Sequence, residues 1–173
     1  MVSISSQIVI TGIGAVTPLG NSFDAIGDAL QNGHSGIDFY DFGTFSRQQE
    51  HAAARVQSVD VETDDNIISS SWRIEKSSRL EQFTVVPSAL ALADAGIQTS
   101  SCTVDQKNRI GFIAGIGAEQ LKDWERDFLD GGHDVFYANR QPSLVHRAAQ
   151  ILDIHGPAAT VAAACASSGY AIA

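Results

Sequence analysis

The sequence predicts an α/β fold, a sheet buried between helices. Three observations carry this expectation. Short runs rich in isoleucine, valine and alanine recur near residues 10, 112 and 160. Stretches with apolar residues at helical spacing lie between them. Glycine, proline and hydroxyl residues mark the boundaries.

Residues 7–14 alternate and are rich in isoleucine and valine, so they read as a strand. Asn21 or Ser22 can cap a helix that carries Phe23, Ile26 and Leu30 on one face and stops at Gly33. Residues 38–71 are polar and aspartate-rich and read as a long surface excursion. A second helix starts near Ser77 or Ser78, carries Leu80, Phe83, Leu90 and Ala93, and stops at Gly96. Pro87 falls inside it, which predicts a kink near Thr84–Val86 or two shorter helices. Residues 109–115 read as a buried strand, and Glu119 to Leu129 as a charged helix. Pro142-Ser143 opens a helix with Leu144, Ala148, Ile151 and Leu152 buried, and residues 159–164 form the last strand.

Composition excludes several classes. A chain of 173 residues with 44% apolar and 18% charged residues reads as a globular domain with a real core. No apolar run approaches the roughly 18 residues that span a bilayer. The N-terminus lacks a basic region of the kind that opens a secretory signal. Two cysteines, Cys102 and Cys165, make no disulfide framework and suit a reducing compartment, which predicts the cytoplasm. Cys102 lies in a polar stretch and reads as a loop residue. A net charge of −9 argues against a nucleic-acid partner. Any surface for an acidic partner must be local. Arg73, Lys76 and Arg79 form the basic cluster that could serve, although a solvated helix start is the simpler reading.

Motifs were weighed against their structural alternatives. Gly12-Ile13-Gly14-Ala15-Val16-Thr17 fails the dinucleotide fingerprint, since Thr17-Pro18 stands where glycine or alanine is needed. It reads as a structural turn, and no organic cofactor is implied. None of His34, His51, His133, His146 and His155 forms an H-x-x-x-H pair or stands at metal spacing from a cysteine, so no metal site is expected. His146 reads as a surface or capping residue. One thiol and several histidines coexist, as in a Cys–His hydrolase, but nothing in their spacing favours that arrangement.

Cys165 is the informative residue. The β-branched run Thr160-Val161 passes into Ala162-Ala163-Ala164-Cys165-Ala166-Ser167-Ser168-Gly169, which reads as a strand feeding directly into a helix. A thiol there lies near free backbone N–H groups that favour negative charge and could hold an oxyanion. A cysteine among alanines can equally be an inert buried residue. The segment alone leaves both readings open.

Three segments together resemble one family. Ile8-Val9-Ile10-Thr11-Gly12-Ile13-Gly14-Ala15-Val16-Thr17-Pro18-Leu19-Gly20 is similar to the N-terminal strand and turn of β-ketoacyl-ACP synthases, condensing enzymes of the thiolase superfamily. Arg109 to Gly117 resembles their central strand and glycine turn, and Gly156-Pro157 through Ser168 their nucleophile segment. Ala163 departs from the pattern, where threonine is common.

The resemblance implies the N-terminal half of the layered αβαβα thiolase-like fold, with residues 1–173 as an incomplete domain. Family members are about twice this length, and their second half supplies two histidines and a lysine. It implies an acyltransferase that loads an acyl group on Cys165 and condenses it with a malonyl thioester, in fatty-acid or polyketide synthesis. It also implies an acyl carrier protein as partner. A dimer with itself or a related subunit would form through residues 157–164. Ile116 would be a wall of the acyl pocket, although a tight glycine turn explains Gly115-Ile116-Gly117 equally well. The alternative is a condensing-enzyme-like subunit or fragment that acts only in dimer association.

Overall fold

The structure, a computed structural model, describes residues 8–41, 50–59, 67–69, 71–117, 128, 129, 131 and 144–173. The chain forms two compact units, Met1–Asp64 with Val86–Gln98, and Asp65–Val85 with Thr99–Ala173.

In the first unit, α1 spans Phe23–Gln31. Ser22 caps it, its side chain accepting the Ala25 N–H at 3.1 Å, and Gly33 follows at a positive φ of 67°. Both boundaries agree with the sequence reading. The apolar stripe does not, since Phe23 and Leu30 are 66% and 63% exposed and Ala29 is the buried residue. Strands β1, Ile37–Asp41, and β2, Glu50–Ala54, pair antiparallel. This hairpin replaces part of the irregular excursion expected over 38–71. Its register sets Ile37 opposite Ala54 and Phe39 opposite Ala52, apolar cross-strand pairs that two short polar-flanked runs do not advertise. Part of that excursion, residues 42–49, 60–66 and 70, lies outside the described residues.

Helix α2, Arg79–Asp94, runs unbroken through Pro87, so the expected pair of shorter helices is not seen. Proline removes one N–H donor and crowds the carbonyl a turn earlier, yet the residues on either side keep their helical bonding. The residues after Val85 belong to the first unit. They explain Gly12 and Gly14. A Cβ at Gly12 would stand 2.2 Å from the Ala91 carbonyl oxygen, and one at Gly14 1.9 Å from that of Pro87. The Ile13 N–H donates to Asp94 at 2.9 Å. Residues 12–14 therefore lie against helix backbone while Ile8, Val9 and Ile10 are exposed, and among the described residues 8–14 join no sheet, contrary to the strand expected there. Alternation supplies extended propensity but no ladder partner. Thr17 and Gly20 close a tight turn by mutual N–H to carbonyl bonds of 3.0 and 3.2 Å, so the turn lies just after the Gly12–Thr17 segment where it was expected.

The second unit holds α3, Val104–Asn108, with a capping box between Thr103 and Gln106. Then come β3, Phe112–Gly115, α4, Leu144–Ile151, β4, Ala158–Val161, and α5, Ser167–Ile172. Strands β3 and β4 run parallel with Phe112 opposite Ala158 and Gly115 opposite Val161. Ile113 is 55% exposed, so β3 is less buried than its sequence suggests. On α4 Ala148 is buried as expected, with Leu152 buried just beyond, while Leu144 and Ile151 are half-buried and Val145 and Ala149 are buried instead. The charged helix expected over 119–129 lies outside the described residues except Phe128 and Leu129, which are helical and exposed. Pro142 and Ser143 also lie outside them.

Two polar clusters tie this unit. Glu81 is 3% exposed and accepts from Trp72 Nε1–H at 2.8 Å, from the Ser77 hydroxyl at 3.0 Å and from the Arg147 guanidinium. Asp153, at a φ of 55°, pairs with Lys107 and with His155 at 3.0 Å. The hydrogen bond from Lys107 holds the Asp153 carboxyl below the usual carboxylate range, with His155 adding to the effect and partial burial opposing it.

Candidate active site

The site grows out of the end of β4. The chain leaves the strand at Ala162, Ala163 bends away from extended geometry at φ −140° and ψ 40°, and Ala164 turns into the left-handed region at a φ of 48°. A single 3-10 turn, Ala164–Ala166, follows, and α5 begins at Ser167. Cys165 is the middle residue of that turn and is exposed. The strand-to-helix junction read from the sequence is therefore present, with a 3-10 turn inserted between strand and helix. Cys165 is thus exposed here rather than buried among its flanking alanines. Cys102, the other thiol, is half-buried after a 3-10 turn, Thr99–Ser101.

The turn is anchored by Ser167, which is 3% exposed. Its Oγ accepts the Ala163 N–H at 2.8 Å and faces two carbonyl oxygens, Ala164 at 2.7 Å and Ile116 at 3.1 Å. Ile116 follows β3, and its own N–H donates to the Val161 carbonyl at 2.9 Å. Ser167 thus joins the two segments from which Cys165 and Ile116 were singled out. The contact made by Ile116 here is through its backbone. Gly115 lets the segments close. A Cβ on it would lie 2.5 Å from the Ser167 carbonyl oxygen.

Other candidate groups lie elsewhere. Arg73, Lys76 and Arg79 are exposed as expected, although Arg79 stacks on Phe83 at 4.7 Å and Arg73 donates to the Trp72 carbonyl at 2.9 Å. His146 is exposed on α4. Among the described residues no group of three or more His, Cys, Asp or Glu is placed to hold a metal ion. A cavity of about 420 Å³ in the first unit is lined by Ile13, Asn21, Phe23, Leu90 and Asp94 among others, with no residue of the Cys165 turn.

Residues 5–173 match the family model described as beta-ketoacyl synthase, N-terminal domain. The chain belongs to the beta-ketoacyl synthase family. A relative named 3-oxoacyl-(acyl-carrier-protein) synthase 1, from Buchnera aphidicola subsp. Schizaphis graminum, is 28% identical over 188 residues, covering 96% of this chain and 42% of the relative. The crystal structure of a beta-ketoacyl synthase from Burkholderia phymatum STM815 superposes with a TM-score of 0.63 at 23% identity, covering 95% of this chain and 41% of that one. The ishigamide ketosynthase/chain length factor gives a TM-score of 0.59 at 24% identity, covering 89% and 39%. These likenesses establish the thiolase-like fold expected from the sequence. The chain spans about two-fifths of the length of the relatives it matches.

Sequence reasoning found Cys165 and passed over Ser167 and Ala164. A hydroxyl two residues after the nucleophile candidate, at the first position of a helix, was the available signal. Such residues bond local backbone rather than solvent. The left-handed Ala164 had no signal, since alanine does not advertise a positive φ.

Proposed function

We propose that the full-length protein is an acyltransferase that loads an acyl group onto Cys165 and extends it by condensation with a malonyl thioester. The observation that carries this is the exposed thiol on a buried anchor, in a chain matched to the beta-ketoacyl synthase family. The Cys165 sulfur attacks the thioester carbonyl. A new S–C bond forms, the carrier's S–C bond breaks, and the carrier thiol leaves with the proton. This divides a hard acyl transfer into two easier steps. N–H groups in the first turn of a helix have no partner within it, so the Cys165 N–H is the best oxyanion donor in this segment. Loss of carbon dioxide from the malonyl unit then leaves an enolate carbon that attacks the acyl group on sulfur; the new C–C bond forms as the acyl–sulfur bond breaks and Cys165 leaves as the thiolate.

An acyl carrier protein delivers both thioesters in this reading, in the cytoplasm, and Ile116 lines the acyl channel. The edge formed by residues 157–164 pairs with the same edge of a second, identical or related subunit. Support comes from β4 having one strand neighbour, β3, among the described residues.

The enolate needs positively polarised donors, and none of the five histidines occupies a family histidine motif. Residues 1–173 alone are therefore expected to take no part in completed condensation, while the full-length protein turns over. The test is a condensation assay with acyl and malonyl carrier-protein thioesters on both proteins. Turnover by the isolated 173 residues that is lost in Cys165→Ala would overturn the incomplete-domain reading. No Cys165-dependent turnover by the full-length protein would overturn the function.

A further inference from the structure

We propose that Ser167 is the positioning residue for Cys165. The inference rests on the acyl-transfer reading above. It deepens that reading by naming the group that aims the thiol.

Ala164 sits at a φ of 48°, a region that residues with a Cβ avoid. Such a conformation persists only where neighbouring contacts over-determine it. Ser167 supplies those contacts from one oxygen. It holds the N–H of the residue before Ala164 at 2.8 Å and faces the carbonyl of Ala164 itself at 2.7 Å. Its remaining contact, the Ile116 carbonyl at 3.1 Å, fixes that oxygen to the chain leaving β3. The hydroxyl accepts the one N–H on a lone pair, and its single proton is shared between the two carbonyls as a three-centre hydrogen bond. Gly115 has no side chain to push this junction apart, with 2.5 Å between its would-be Cβ and the Ser167 carbonyl oxygen.

Removing the hydroxyl leaves the Ala163 N–H and two carbonyls without that partner. Ala164 is then free to relax toward negative φ. The next residue along the chain is Cys165, so the relaxation swings its sulfur. An apolar or small side chain at 167 would still fill the space, which separates aiming from packing.

The experiment uses the full-length protein with Ser167→Ala, Ser167→Thr and Gly115→Ala. Acylation of Cys165 by an acyl thioester is followed by peptide mass, and iodoacetamide labelling of Cys165 and Cys102 is measured in parallel. Thioester attack needs a defined approach, whereas alkylation by a small reagent tolerates many. Ser167→Ala is expected to slow acylation about 10²-fold, the scale of a misplaced reacting group, with a much smaller change in labelling. Ser167→Thr, which keeps the hydroxyl, restores most of the acylation rate. Gly115→Ala presses on the same junction from the strand side and slows acylation as well, which keeps the test decisive if Ser167→Ala does not fold.

Wild-type acylation in Ser167→Ala or in Gly115→Ala overturns the inference alone. So does an equal loss in Ser167→Ala and Ser167→Thr, or faster labelling of both cysteines, each of which marks general loosening. A wild-type protein that is never acylated at Cys165 overturns the acyl-transfer reading, and this inference with it.

Discussion

Arg147→Met tests the buried cluster around Glu81. The substitution removes the guanidinium and leaves an apolar stem of similar reach. Glu81 is 3% exposed and would keep two neutral donors, Trp72 Nε1–H at 2.8 Å and the Ser77 hydroxyl at 3.0 Å. Stranding one member of a buried ion pair costs about 3–5 kcal/mol when nothing else compensates it. Here the Arg147 side chain is 41% exposed, so water already screens part of its charge. Two donors also remain, and a hydrogen bond to a charged group contributes about 1.5–3 kcal/mol. The expected loss is therefore about 2 kcal/mol, below the range for a stranded pair. Urea unfolding of the full-length protein, followed by tryptophan fluorescence, reads it. With a slope of about 2 kcal/mol per molar urea, the midpoint falls by about 1 M. Glu81→Leu with Arg147→Met should cost less than the two single changes added together, because the double variant leaves no unpaired charge. A midpoint for Arg147→Met within about 0.2 M of wild type, or strictly additive singles, would refute the reasoning.

Iodoacetamide should label Cys165 faster than Cys102, since Cys165 is exposed and Cys102 is half-buried; peptide mapping that shows equal or slower labelling of Cys165 contradicts this. The lowered pKa of Asp153 gives a pH dependence. A depressed carboxyl contributes stability that is present above its unfolded value of 3.8 and is lost as pH falls through the folded value. Asp153→Asn keeps a side chain that tolerates the φ of 55°, so it should be less stable than wild type at neutral pH, and the gap should close on acidification below about pH 4. A gap that widens in acid contradicts the Lys107 pairing. Gly14→Ala places a Cβ 1.9 Å from the Pro87 carbonyl and should lower the thermal midpoint, whereas Gly27→Ala, with nothing within 4 Å, should not. Equal midpoints for the two variants would show that residues 12–14 do not press on α2.

What the sequence revealed follows what local chemistry determines. Ser22 as a cap and Gly33 and Gly96 as stops are decided by backbone geometry within a few residues, and each stands where it was read. So does the junction at Cys165. The phase of a buried face is not local. On α4 Ala148 and Leu152 are buried as the stripe predicts, while packing buries Val145 in place of Leu144. On α2 the buried positions include Glu81, whose charge hid it from an apolar count, and two of whose partners lie nine and sixty-six residues away. Pro87 lies within one continuous helix, so of the two outcomes expected there the pair of shorter helices is the one that does not form. The sheet partners of a short run, as in the β1–β2 hairpin, are set by chain segments that periodicity within the run cannot see.

The left-handed Ala164 has a consequence for how this protein can change. Glycine adopts that φ without the Cβ conflict, so Ala164→Gly removes about 1 kcal/mol of conformational strain. Glycine also gives back freedom to the unfolded chain and lets the turn sample other shapes. A population screened for resistance to heat and one screened for turnover would then place opposite pressures on the same codon. The tension lies one residue before the sulfur, where a gain in rest-state comfort comes with a thiol that no longer points one way.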